Sequence, residues 1–310
     1  MSQISQPSPN RVGAIIVLYF PNLSLLERLL NGLQNEVDEI FVIDNTPINA
    51  VDWLSSEWFL TKQYQVNYHP LGDNRGIGRA QNIGIELAIS NQCSHVILFD
   101  QDSAIPPNMI KNLLIAEQLL LDKSVHLGSV GPLFLDEKTG DYSKAIRHGQ
   151  LFTHKIDISP LDTNPVRADY LIASGSLMRT PILQTIGLMR EDLFIDWVDI
   201  EWGLRANSLG YSHFIIPQAI MRHSIGDEFV SVGSRKINLH SDTRNYYIVR
   251  NACHLLLDSK INRKWRVNIA FKIPLYVIFY TLTSNSRIHS LKQLLRACFD
   301  GLSGKLGKAF

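Results

Sequence analysis

Ser94-His95-Val96-Ile97-Leu98-Phe99-Asp100-Gln101-Asp102-Ser103 is the stretch on which the fold turns. An apolar run of strand length ends abruptly in two aspartates one residue apart, and Ala104, Ile105 and Pro106-Pro107 follow. Such a run, bounded by turn residues, reads as a buried strand of a parallel sheet. In open α/β sheets, ligands bind at the carboxyl ends of these strands. Two carboxylates at that edge repel each other unless a cation or water separates them. One reading is a hard divalent cation, Mg²⁺ or Mn²⁺, held by carboxylate oxygen and shared with substrate phosphates. The other is a solvated turn in which Asp102 or Ser103 caps a helix starting near Pro106.

Outward from this stretch, strands and helices alternate. Residues 11–19 are a buried strand, and Asn22 is set to cap a helix carrying Leu23, Leu26, Leu29, Leu30 and Leu33. A second strand, residues 39–43, ends in Asp44-Asn45-Thr46-Pro47. Residues 64–69 form a third, and residues 76–90 an amphipathic helix. The alternation predicts a doubly wound α/β sheet with right-handed crossovers. At its carboxyl edge Asp44 ends the second strand, where an acidic side chain can accept hydrogen bonds from a nucleoside. Residues 70–82 carry glycines for close backbone approach, and Arg75 and Arg79 beside a helix N-terminus favour an anion. The alternative is a turn with two exposed arginines. No G-x-G-x-x-G follows the first strand, so this is not a dinucleotide fingerprint.

The composition bounds the remaining choices. At 310 residues, the chain is one large domain, or one domain plus an appendage. Charged residues at 19% and hydrophobic residues at 45% argue against wholesale disorder, and a net charge of +1 gives no reason to expect nucleic acid binding. Cys93, Cys253 and Cys298 lack ligand spacing and suit a reducing compartment better than a disulfide framework or zinc site. Residues 1–10 are polar, without the apolar core of a signal peptide, and are expected to form a disordered lead-in.

In order and spacing, the first strand, Val42-Ile43-Asp44-Asn45, the run from Asn74 to Asn82 and Asp100-Gln101-Asp102 together resemble the inverting family-2 glycosyltransferases. The resemblance covers about residues 11–251. It implies the GT-A fold, with a Rossmann-like, mostly parallel sheet that binds nucleotide-diphospho-sugars. By resemblance, Asp44 contacts the nucleoside, and Asp100 and Asp102 bind the Mg²⁺ or Mn²⁺ that bridges the diphosphate. Asn74, Arg75, Arg79 and Asn82 are expected at the donor. Thr46 stands where a serine is common and keeps the hydroxyl.

Residues 168–179 read as a strand interrupted by small residues. The resemblance puts Ser174 and Gly175 near the donor sugar, and a bulge without function is the alternative. Asp199 lies in an acidic segment, residues 191–206, that opens a helix. Transfer needs one ionised carboxylate near the acceptor hydroxyl, opposite the departing nucleotide. The family carries its base in a D/E-D motif here, which matches Asp199. Asp192, Asp196 and Glu201 are rivals, with Asp196 expected as the N-cap and Glu201 paired with Arg205. His223 matches a histidine that joins the metal in several relatives, although a lone histidine is more often structural.

Residues 242–251 strengthen the match to a narrower group, bacterial rhamnosyltransferases, which use dTDP-L-rhamnose to build O-antigen, capsule or related glycans. Arg244 and Arg250 either meet the diphosphate or anchor their helix to the main domain. Residues 267–283 are aliphatic and aromatic, interrupted by Lys272 and Pro274, and fall short of a spanning helix. With Arg263, Lys264 and Arg266 beside them, they suit a helix lying in a membrane interface, or one packed on the domain or a second subunit.

The expected organisation is a lead-in over 1–10, a GT-A domain over 11–240 and a helical region over 241–310. The expected partners are a nucleotide-sugar donor, dTDP-rhamnose favoured, and a saccharide or lipid-linked acceptor. The expected location is cytoplasmic, on the inner membrane face, with homo-oligomerisation left open. A UDP-hexose or UDP-galactofuranose donor, or a non-catalytic glycan- or nucleotide-binding module, is the alternative.

Overall fold

A computed structural model describes residues 10–48, 55–136, 139–149, 153–223, 229–232, 235–238 and 241–310, without the side chains of Ser56, His223 and residues 229–238. The expected lead-in over 1–10 therefore lies outside the described residues, save Asn10. In chain order the elements are β1 (Val12–Leu18), α1 (Leu23–Leu33), β2 (Glu39–Asp44), α2 (Ser56–Thr61), β3 (Asn67–Pro70), α3 (Ile77–Ser90), β4 (His95–Asp100) and α4 (Met109–Asp122). There follow β5 (Leu127–Asp136), β6 (Ala145–His148), β7 (Thr153–Ile156), β8 (Val166–Ala168), β9 (Leu177–Arg179), α5 (Thr180–Ile186) and α6 (Val198–Ser208). The chain continues through β10 (Ser212–His223), β11 (Phe229–Val232), β12 (Arg235–Asn238), α7 (Asp242–Leu257), α8 (Arg263–Thr283) and α9 (Arg287–Leu302).

The main sheet has the order β3-β2-β1-β4-β9-β5-β10-β8. Pairing is parallel except around β9 and at the β8 edge. β2 and β4 flank β1 on opposite sides, so strand order reverses there and a crevice opens at the carboxyl ends. Register sets the chemistry level: Leu18 pairs with Asp44 and Val17 with Asp100, which puts both aspartates at the end of β1.

β1 is buried on both faces. Ala14, Ile16 and Leu18 pack with α1 and α4, and Ile15 and Val17 pack with α3 and α6. Asn22 caps α1 as the sequence predicts, accepting from the Ser24 and Leu25 amides. The third strand is shorter than expected and starts at Asn67. Residues 168–179 do not form one strand. β8 and β9 are separate, and Gly175 just before β9 takes a φ of +74°, where a Cβ would sit 2.6 Å from the Pro132 ring.

The C-terminal helices share the core of the sheet. Ala252, Leu255, Ile261, Trp265 and Ile269 pack in one cluster with Ile15, Phe41 and Trp202. Pro274 does not interrupt α8, which runs unbroken for 21 residues. Among the described residues, no helix is long and apolar enough to cross a membrane.

Candidate active site

Asp44, at the end of β2, is fully buried. One carboxylate oxygen accepts from the Thr46 amide at 2.9 Å and the other from the Tyr68 hydroxyl at 2.8 Å. Burial and the adjacent carboxylate push the Tyr68 hydroxyl's pKa upward, so it stays a donor. The Thr46 hydroxyl accepts from the Phe20 amide at 3.0 Å and ties the ends of β1 and β2 together.

The glycine-bearing loop is fixed by an asparagine pair. The Asn45 side chain donates to Asn74 Oδ1 at 2.9 Å and accepts the Arg75 amide at 2.7 Å, while Asn74 Oδ1 also accepts the Gly76 amide. Gly76 has a φ of +84°, and a Cβ there would lie 2.7 Å from Phe194. This glycine lets the loop touch the segment before α6, and the Ile77 amide donates to the Phe194 carbonyl at 2.7 Å. Arg75 is exposed, and its guanidinium makes no ion pair with the described residues. Arg79 is paired with Glu191 at 3.0 Å. Asn82 is buried, and its amide is committed to Met189 and Glu191. These hydrogen bonds hold α3 against the segment leading to α6.

At the end of β4, Asp100 is exposed and Asp102 half-buried. Gln101 between them is a strut, accepting the Tyr19 amide at 2.8 Å and donating to the Tyr19 carbonyl at 3.1 Å. Arg28 donates to the Asp102 carbonyl at 3.0 Å. Ser174 braces the same turn: its hydroxyl accepts the Asp100 amide at 3.2 Å and lies 2.7 Å from the Ser103 hydroxyl. The Gly175 amide donates to the Leu98 carbonyl at 2.6 Å. Asn108, not Asp102 or Ser103, precedes α4, so the capping alternative for this turn falls away.

Two carboxylates at one strand end suit a hard cation. Among the described residues, no group of three metal-ligating side chains assembles. The side chain of His223 lies outside them, but its backbone ends β10, next to Arg222, whose backbone bridges to Ala104. His223 thus belongs to the strand end beside the Asp100–Asp102 turn.

α6 carries Asp199 and Glu201 in its first turn. Its N-cap is Trp197, at φ +66° and without a side-chain capping bond, so the expectation that Asp196 caps it is corrected. Asp196 instead pairs with Arg244 of α7 at 3.2 Å. Glu201 is fully buried and paired with Arg205 at 2.8 Å, and Asp192 is paired with Arg190. Asp199 alone of these four makes no ion pair among the described residues. Its oxygens accept the Ala173 amide at 2.9 Å and the Ile200 amide at 2.8 Å. Burial raises its pKa above the ordinary carboxylate value, opposed by these amides and by nearby Arg244. A base with a raised pKa holds a proton more strongly.

Arg250 makes the contacts of the anchoring alternative. It is 1% exposed and donates to the Leu193 and Gly307 carbonyls at 2.9 and 2.6 Å. Asn251 beside it donates to the carbonyls of Leu193, Ile195 and Asp196. The sequence reading missed Tyr68, Arg28 and this asparagine clamp. Tyr68, Arg28 and Asn251 all lay in elements already read from the sequence, but without a role there.

The sequence profile of glycosyl transferase family 2 matches residues 14–118. The chain is 32% identical over 301 residues to the dTDP-rhamnosyl transferase RfbF of Shigella flexneri, covering 96% of this chain and 97% of that one. Among solved structures, it resembles GalNAc-T7 with UDP, GalNAc and Mn²⁺, at a TM-score of 0.59 and 13% identity, over 91% of this chain and 59% of that one. It also resembles the mannosyltransferase PcManGT of Pyrobaculum calidifontis in complex with GDP-Man and Mn²⁺, at 0.53 and 15%, over 94% and 74%. These likenesses carry the GT-A fold, and the near full-length relative carries the family. With its strand-end aspartates and mostly parallel sheet, the chain belongs to glycosyl transferase family 2 and is a glycosyltransferase.

Proposed function

We propose that the enzyme transfers L-rhamnose from dTDP-L-rhamnose, with inversion, to a saccharide or lipid-linked saccharide of a cell-surface polysaccharide. The observation that carries the donor is the 32% identity, over nearly both full lengths, to a dTDP-rhamnosyl transferase. Asp44, with Thr46 and Tyr68 behind it, receives the nucleoside. Arg75 and Arg244 face the diphosphate, with Asn74 shaping the loop and Arg79 beside it. Ser174 and Gly175 hold the strand-end turn against the sugar.

Asp100 and Asp102, with His223, would hold Mg²⁺ or Mn²⁺, which when bound offsets the charge of the leaving diphosphate. Asp199 accepts the proton of the acceptor hydroxyl as its oxygen bonds to the anomeric carbon. The bond from that carbon to the diphosphate breaks, and its electron pair leaves with dTDP. The acceptor is met at the cytoplasmic face of the membrane, with the enzyme bound peripherally.

Calorimetry of dTDP-rhamnose, UDP-glucose and UDP-galactose with Mn²⁺ tests the donor. The expected result is tight binding of dTDP-rhamnose alone, lost in excess EDTA and in Asp102→Asn. Preference for a UDP-sugar moves the donor to a UDP-hexose, and full affinity after confirmed metal removal overturns the metal role.

A further inference from the structure

Residues 259–310 carry ten basic residues and a single acidic one, Asp300, whereas the preceding residues carry twenty basic and twenty-eight acidic. The near-zero net charge of the whole chain hides this polarity. Asp300 is buried, hydrogen-bonded to Tyr246 and paired with Arg296, so it offers no anion to the surface.

The same region exposes apolar side chains in two ordered rows. On α8, Val267, Phe271, Leu275, Ile278 and Leu282 are 46 to 69% exposed. Their spacing of four, four, three and four residues puts them on one helix face, opposite buried Trp265, Ile269 and Tyr280. On α9, Ile288, Leu295, Phe299 and Leu302 do the same, opposite buried Leu294, Ala297 and Gly301. α8 and α9 are joined by three residues. Lys264 continues the α8 row and Lys292 the α9 row at helical spacing, and Arg263 and Arg287 lie at the helix starts. All four are exposed and make no ion pair with the described residues.

We infer that the outer face of α8 and α9 docks on an anionic lipid bilayer. Apolar rows enter the acyl boundary while basic residues meet the headgroups, as in interfacial helices. Pairing of two copies through this face would bring together two strongly basic surfaces, so charge favours lipid. The inner face of α8 also packs on the segment that leads to Ala173 and Ser174. Trp265 donates to Asp169 at 2.9 Å and packs against Tyr170, four residues before Ser174 and three before the amide that holds Asp199. A helix is about 10 Å across, so a bilayer on its outer face lies close to the base. This surface rests on the proposed function only for its purpose, delivery of a lipid-linked acceptor.

The test is co-flotation of the full chain with vesicles of phosphatidylcholine alone or mixed with phosphatidylglycerol. Binding is expected only to the anionic vesicles, weakening as salt shortens the Debye length below the ~8 Å of physiological salt. Lys264→Ala with Lys292→Ala should weaken partition on the order of thirtyfold. Phe271→Ser with Leu295→Ser should abolish it, while calorimetric donor affinity in solution stays unchanged. No flotation at low salt, or flotation indifferent to both double variants, overturns the inference. So does light scattering that shows a dimer which Phe271→Ser with Leu295→Ser dissociates. Because donor affinity is read without vesicles, failure of the surface and failure of the donor assignment give separate results.

Discussion

Asp199 differs from its acidic neighbours by what does not touch it. Glu201, Asp196 and Asp192 each have an arginine, and Asp199 has two backbone amides and a raised pKa caused by burial. Only the ionised carboxylate accepts a proton, so kcat should rise with pH as Asp199 deprotonates. That acid limb should lie above the ~4 of an ordinary carboxylate. Asp199→Asn should remove the limb and lower kcat by ~10²–10⁴-fold, with donor affinity unchanged. Asp196→Asn breaks the pair with Arg244 and should leave the acid limb in place. Steady-state kinetics across pH for both variants checks this, and a normal rate in Asp199→Asn would move the base to another carboxylate. The place of Asp199 in the first turn of a helix was legible because it depends on local sequence. The fates of Asp196 and Arg250 were not, since their partners lie on segments about fifty residues away.

Among the elements, α7 links the appendage to the chemistry. Asn251 donates to three carbonyls in the segment that leads into α6, and Trp197 donates back to the Ile248 carbonyl at 3.1 Å. Asn251→Ala leaves those carbonyls without this donor in a buried setting, at a cost of about 1–3 kcal/mol in denaturant-measured stability. Because the segment carries Asp196 and opens the helix of Asp199, kcat should fall more than donor affinity. An unchanged kcat with lowered stability would make Asn251 structural only. A helix over residues 242–251 was already readable from the sequence. The polar clamp was not, because an asparagine within a helix carries no signal of which distant carbonyls it meets. The split of residues 168–179 was hidden for a related reason: strand propensity does not reveal that Gly175 must cross to a positive φ.

Across the whole molecule, the alternation of strands and helices fixed the sheet, and strand register then brought Asp44 and Asp100 level at the reversal point beside β1. Those features are short-range in sequence and so were readable early. The antiparallel insertion of β9 between β4 and β5, and the merging of the C-terminal helices with the main core, depend on long-range packing and were not. Asp199, proposed as the base, accepts the Ala173 amide, next to Ser174, which braces the Asp100 turn. A single displacement by an acceptor oxygen on the face opposite the diphosphate must invert the anomeric carbon. The decisive measurement is the anomeric configuration of the transferred sugar, read by NMR on product made by the intact enzyme. A configuration opposite to that of the donor is expected, and a retained configuration would contradict the single displacement.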